Sequence, residues 1–190
     1  MTLLFVTSNV NKIKEIKSIL PRKIQLVRLE DVDFYDEIPE TSDTIEGNSR
    51  LKVEAVVTKM GVTCFAEDTG LEIKCLNGEP GVRTARYAGE KACNLDNISL
   101  VLNKMEGISD RSARFKTVLT YFDGYEYISF EGICEGSIAL LPKGNDGFGY
   151  DPIFIPNGSN ATFAELSLEE KNFFSHRKKA FEKFLLHLSN

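Results

Sequence analysis

Within its first twenty residues the chain switches from the hydrophobic period of a strand to that of a helix, and no other feature constrains its fold as much. Leu3 to Thr7 is apolar and β-rich, whereas Ile13, Ile16, Ile19 and Leu20 recur at helical spacing until Pro21 forbids continuation. Strand, loop, helix is the opening of an α/β protein. Ile24 to Leu29 reads as a second strand, followed by an acidic stretch with Asp31, Asp33, Asp36, Glu37, Glu40, Asp43 and Glu46. A helix from about Thr44 to Met60 is closed by Gly61. Val62 to Ala66 reads as a buried strand that delivers Glu67 and Asp68 at its C-terminal end, before a turn at Thr69-Gly70. Open α/β sheets place their sites at such strand ends.

The pattern continues with a strand at Leu71 to Leu76, a turn at Asn77 to Gly81 and a helix over about Leu95 to Met105. Asp123-Gly124 is the strongest hairpin signal, flanked by strands at Ala113 to Phe122 and Tyr125 to Phe130, with a β-ribbon continuing to about Leu140. Ser167-x-x-Glu170 fits a capping box, and Phe174, Lys178, Phe181, Leu185 and Leu188 keep one face of a terminal helix. On an unbroken helix Lys171 and His176 would point about 140° apart. If both serve one ligand, the helix must break near Ser175.

With 190 residues and 42% apolar composition, the chain suits one domain over 1–190, built as two lobes. The N-terminal apolar run is far shorter than the roughly 18 residues of a membrane span, and it lacks a basic leader. No membrane association is expected. Four widely spaced cysteines, without a C-x-x-C pair and with only two histidines, read as free thiols in a reducing cytoplasm. A net charge of -5 argues against a nucleic-acid polymer as partner. A polyanionic ligand would need local cations or a bridging metal.

Four constellations bear on such a ligand. Thr7, Ser8, Asn9, Val10, Asn11 and Lys12 join the first strand to the first helix, where unpaired N–H groups and the helix dipole favour an anion. Ser8, Asn9 and Lys12 would cradle a triphosphate, although the segment is not a Walker A loop and a capped surface turn has the same look. Glu40 and Glu67-Asp68 supply carboxylates from separate segments, and Mg²⁺ usually binds one or two carboxylates plus phosphate oxygens. Gly144 to Pro152 sets glycines around Phe148, Gly149, Tyr150 and Asp151, which suits either a stacking platform for a base or a turn with core aromatics. Ser175-His176-Arg177, preceded by Lys171, adds donors for a carbonyl or phosphate. Adjacent Ser175 and His176 cannot form a nucleophile and base pair, so covalent catalysis is not expected.

In this order the pieces resemble the inosine triphosphate pyrophosphatase family, the XTP/dITP diphosphatases that clear non-standard purine nucleotides from the precursor pool. The resemblance rests on T-S-N-V-N-K at Thr7 to Lys12, E-T-x-x-x-x-E-G-N at Glu40 to Asn48, A-E-D-T-G-L-E-I at Ala66 to Ile73, G-E-P-G-V-R-T-A-R-Y-A-G at Gly78 to Gly89, F-G-Y-D-P-I-F at Phe148 to Phe154 and E-E-K-N-x-x-S-H-R at Glu169 to Arg177. Asn11 and Ser8 stand where glycine is frequent, Glu67 where aspartate is usual and Thr69 where serine is; the last two keep the functional group.

The resemblance implies an elongated α/β mixed sheet with flanking helices and two lobes around a central cleft, and a homodimer. It also implies that Thr7 to Lys12 hold the triphosphate and that Glu40 and Asp68 hold Mg²⁺, with Asp68 the general base. Thr69 would stand at the substrate edge, and Phe148 to Asp151, Lys171, His176 and Arg177 would bind base and phosphates. Gly78 to Gly89 is marked as a motif without a catalytic role. The rival readings are a pyrophosphatase for pyrimidine or modified nucleotides, a nucleotide-binding regulator without turnover, and a protein-interaction module.

Overall fold

A computed structural model of the chain describes residues 1–189. In chain order its elements are β1 (Thr2–Phe5), α1 (Val10–Ile19), β2 (Gln25–Arg28), α2 (Ile45–Met60), β3 (Cys64–Ile73), β4 (Pro80–Gly81), α3 (Asn94–Lys104), β5 (Ser112–Phe122), β6 (Tyr127–Ile138), β7 (Phe154–Pro156), α4 (Leu168–Phe174) and α5 (His176–His187). The strands form a mixed sheet in the order β2-β1-β3-β5-β6-β7, with β4 on β3. β1 runs parallel to β2 and β3, while β4 and β7 pair antiparallel to β3 and β6. The fold is α/β, as the opening switch of period requires.

The chain divides into two compact units. The first comprises Met1–Asp68, Thr117–Gly132 and the segment from Arg177 onward; the second comprises Thr69–Lys116 and Ile133–His176. In the first unit, successive β1 side chains enter opposite apolar layers. Leu3 and Phe5 pack with Ile16, Phe65, Phe181 and Phe184, whereas Leu4 and Val6 pack with Val53, Val56, Cys64 and Ala66. Alternation along a strand covered by helices on both faces gives this division and explains why Leu3 to Val6 is apolar without a break. Phe5 and Phe65 stack at 4.6 Å between ring centroids. The second unit has its own core around Leu71, Ile73, Val101, Phe115, Phe154 and Phe163.

Gly61 closes α2 in the left-handed conformation (φ 64°), its N–H bonded to Val57 O at 2.8 Å. The hairpin loop is Asp123 to Glu126: Asp123 Oδ1 accepts from the N–H groups of Tyr125 and Glu126, and Gly124 takes φ 109°. The terminal helix does break at Ser175 (ψ 121°), after the capping box of Ser167 and Glu170. All four cysteines are free thiols.

One expectation is overturned. Thr69-Gly70 makes no turn, and the two strands expected at Val62 to Ala66 and Leu71 to Leu76 are a single strand, β3, with Glu67 and Asp68 in its interior. Turn propensity yields here to burial and pairing: eight of the ten β3 residues are buried, and Leu71 and Glu72 pair with Gly81 and Pro80. Lys74–Leu76 is instead a 3₁₀ turn.

Candidate active site

In the first unit, β3 presents Glu67 and Asp68 in succession, and adjacent strand residues point to opposite faces. Each meets its own set of cations. Asp68 Oδ1 accepts from Lys52 Nζ at 2.7 Å, and the same ammonium lies 2.7 Å from Glu40 Oε1 and 3.3 Å from the Glu67 carbonyl. Lys52 and Asp68 are buried, while the Glu40 side chain stays 36% accessible. Two carboxylates from distant segments thus converge on one cationic point.

Glu67 Oε1 lies 3.1 Å from Lys12 Nζ and 3.1 Å from Arg177 Nε, and Arg177 Nη1 bonds Glu15 in turn. Lys12, Glu67, Arg177 and Glu15 form a chain of alternating charge, which is how a protein tolerates ionised groups in its interior. Burial drives the Lys12 ammonium below its usual range, helped by Lys52 and Arg177 and opposed by Glu67 and Asp68. Burial also raises the Asp68 carboxyl, against the pull of Lys52 and Lys12. Lys52 itself is raised, because Asp68 and Glu40 together outweigh its desolvation.

Thr7, Ser8, Asn9, Val10, Asn11 and Lys12 lie at the N-terminus of α1. Asn9 caps the helix, its Oδ1 accepting from Asn11 N at 3.0 Å and Lys12 N at 3.2 Å, while Thr7 Oγ1 accepts from Asn9 N. Residues 8 to 11 are exposed.

In the second unit, Asp151 Oδ2 accepts from Phe148 N at 2.9 Å and from Lys171 Nζ at 2.5 Å, with Asp151 and Lys171 both buried. The Lys171 ammonium also lies 5.3 Å from the Phe148 ring centroid, so α4 and the Phe148 loop are tied by charge and by a cation–π contact. Gly147 (φ 75°) makes the tie possible, since a Cβ there would fall 2.0 Å from Asp151 Oδ2. Gly149 is likewise left-handed, Phe148 is half-buried, and Tyr150 is buried with its hydroxyl donating to Thr84 O at 3.0 Å. His176 stacks on Phe115 at 4.8 Å, and Thr69 is half-buried on β3. Thr84 Oγ1 accepts from Leu71 N and donates to Gly81 O, so the Gly78 to Gly89 motif braces β3 and Tyr150.

The site reading from sequence missed Lys52 and Glu15. The signal for Lys52 was present, for it shares the buried face of α2 with Ile45, Asn48, Ser49, Val53 and Val56. A charge at that spacing needs a buried partner. The reading of Asp68 as a carboxylate beside a turn falls with the turn itself.

Glu40 and Asp68 fit Mg²⁺ in one specific respect: their oxygens already share a single cation, the Lys52 ammonium. Among the described residues no group of three or more His, Cys, Asp or Glu is gathered for a metal ion. Such an ion would take its other ligands from phosphate and water, as Mg²⁺ commonly does.

The sequence profile described as the Ham1 family matches residues 3–187. The chain belongs to the Ham1 family. Its relatives include a Flavobacterium johnsoniae protein named dITP/XTP pyrophosphatase, 50% identical over 186 residues, covering 97% of this chain and 96% of that one. A Bacillus subtilis protein of the same name is 44% identical over 184 residues, covering 95% and 93%. Among solved structures, the Staphylococcus aureus Ham1 protein matches with a TM-score of 0.90 at 36% identity, covering 100% of this chain and 98% of its own. A Ham1 protein from Coxiella burnetii gives the same TM-score of 0.90 at 34% identity, with the same coverage of 100% and 98%. Membership in the Ham1 family agrees with the resemblance read from the sequence motifs.

Proposed function

We propose that this Ham1-family protein is an enzyme that hydrolyses non-standard purine nucleoside triphosphates, dITP or ITP and XTP or dXTP, to the monophosphate and pyrophosphate, clearing them from the nucleotide pool. The observation that carries this reading is the convergence of Glu40 and Asp68 on one ammonium, beside the second buried cation-rich chain of Lys12, Glu67 and Arg177. An acidic protein needs such a place to take a polyanion. The names of the relatives support the choice of substrate.

Glu40 and Asp68 would hold Mg²⁺, which when bound supplies charge neutralisation at phosphate oxygens. Asp68 orients a water and takes its proton as the water oxygen bonds to the α-phosphorus; the bond from that phosphorus to the bridging oxygen breaks and pyrophosphate leaves. Its burial makes Asp68 a stronger base than a surface carboxylate. Thr7 to Lys12 hold the triphosphate, with Lys12 offsetting charge on the leaving group. Lys52 and Arg177 hold Asp68 and Glu67 in place.

Phe148 stacks on the base, with Thr69, Gly149, Tyr150, Asp151, Lys171 and His176 shaping its surroundings. A donor facing O6, from His176 or a backbone N–H of the Phe148 loop, selects a 6-keto purine: the amino group of adenine would set donor against donor and leave both unpaired. Arg177 already serves Glu15 and Glu67, which favours the other donors. The reading also expects a cytoplasmic homodimer, which light scattering in solution would test.

The test is a panel of dITP, XTP, dGTP, dATP and dCTP with Mg²⁺ and with chelator. Turnover of dITP and XTP that the chelator abolishes is expected. Equal turnover of dATP and dITP would end the 6-keto account, and turnover surviving the chelator would remove the metal from it.

A further inference from the structure

The segment that carries Glu40 lies directly on the first turn of α2. Thr44 caps that helix, its Oγ1 accepting from Gly47 N at 3.0 Å. A Cβ on Gly47 would fall 1.9 Å from Ser42 Oγ and 2.7 Å from Ser42 Cβ. Alanine is the better helix former at such a position, so glycine here answers to the close approach of the Ser42 side chain.

Asn48, fully buried, accepts from Ser42 N through Oδ1 at 2.9 Å. That bond fixes the orientation of the amide, because only its oxygen can accept. Its Nδ2 meets no acceptor among the described residues. An asparagine at a wholly buried position with half of its amide unmatched by protein is kept for the other half, the Ser42 contact. One turn further along the same face, Lys52 reaches Glu40 itself.

We infer that Gly47 and Asn48 form a seat on α2 that aims Glu40 at the divalent cation, and that both are positioning residues for metal binding. The E-G-N of the Glu40 to Asn48 motif is then the mould against which the carboxylate loop sets. The inference rests on the proposal that Glu40 is a metal ligand.

The test uses Gly47→Ala, Ser42→Gly and the double variant. Ser42→Gly removes the two nearest atoms an added Cβ would strike, leaving only Thr44 Oγ1 at 2.9 Å, and keeps the backbone N–H that Asn48 holds. Mn²⁺ binding to the free protein is followed by electron paramagnetic resonance, together with thermal unfolding and the Mg²⁺ dependence of dITP hydrolysis, with Glu40→Gln as reference. Gly47→Ala should weaken Mn²⁺ binding and raise the half-saturating Mg²⁺ by about 10-fold or more, the range for residues that orient metal ligands. The rate at saturating Mg²⁺ and the preference for dITP over dATP should hold, and the double variant should recover part of the loss, since the contact with Thr44 Oγ1 remains.

Unchanged metal affinity in Gly47→Ala, or failure of Ser42→Gly to rescue it, would overturn the inference. A fall in saturated rate and unfolding temperature without a shift in metal affinity would reduce Gly47 to a structural role and overturn it as well. If wild type neither binds Mn²⁺ nor requires Mg²⁺, the metal reading itself fails and takes the inference with it.

Discussion

In the proposed mechanism Asp68 is the residue on which the chemistry turns. Asn in its place keeps the shape and removes the proton acceptor. Asp68→Asn should lower kcat by about 10²–10⁴ while the protein stays folded, measured by steady-state hydrolysis of dITP and circular dichroism. Near-normal turnover would show that another group handles the proton. Arg177 should behave in the opposite way. With its guanidinium gone, Glu67 and Glu15 would remain buried with less compensation, and breaking such a pair costs about 3–5 kcal/mol. Arg177→Met should therefore unfold at markedly lower denaturant concentration than wild type; an unchanged midpoint would mean that the chain from Lys12 to Glu15 is not what holds Glu67.

Among the elements, those with a long period and clear caps were legible in the sequence. α2 was placed by its N-terminal Thr44 and closing Gly61, and the break at Ser175 was expected only on the condition that Lys171 and His176 serve one ligand. β3 was not legible, because Thr69-Gly70 has the composition of a turn and only pairing with β4 and burial of both flanks hold it extended. Lys52 was missed although its spacing places it on the apolar face of α2, because its charge suggests a solvated face; its partners appear once α2 is packed on β3 through Ser49, whose hydroxyl reaches Ala66 O and Thr120 Oγ1.

The turn into β5 gives a prediction of its own. Ser112, through its hydroxyl and its N–H, and then Lys74 depress the Asp110 carboxyl to about 2. A depressed folded-state value means that this contribution to stability is complete above the ordinary value of about 3.9 and is lost as pH falls through the folded one. Asp110→Asn should flatten the part of the acid-denaturation curve between those two values; an unaltered slope would show that the carboxylate bonds equally well in the unfolded chain.

Across the whole molecule, charge is distributed unevenly, as the proposed handling of an acidic substrate by an acidic chain needs. The net charge is -5, yet Lys12, Lys52 and Arg177 are gathered in the first unit beside the proposed phosphate and metal ligands. The second unit holds the aromatic Phe148 loop through Asp151 and Lys171. Four of the six motifs fall within one unit and two, Ala66 to Ile73 and Glu169 to Arg177, contribute residues to both, and what no motif could reveal is which atom of each residue is already committed to another. The central claim, water attack at the α-phosphorus of a non-standard purine triphosphate, is tested most directly by hydrolysing dITP with Mg²⁺ in water enriched in heavy oxygen and analysing the products by mass spectrometry. The account predicts labelled dIMP and unlabelled pyrophosphate, whereas label in pyrophosphate, release of dIDP and phosphate, or absence of turnover would contradict it.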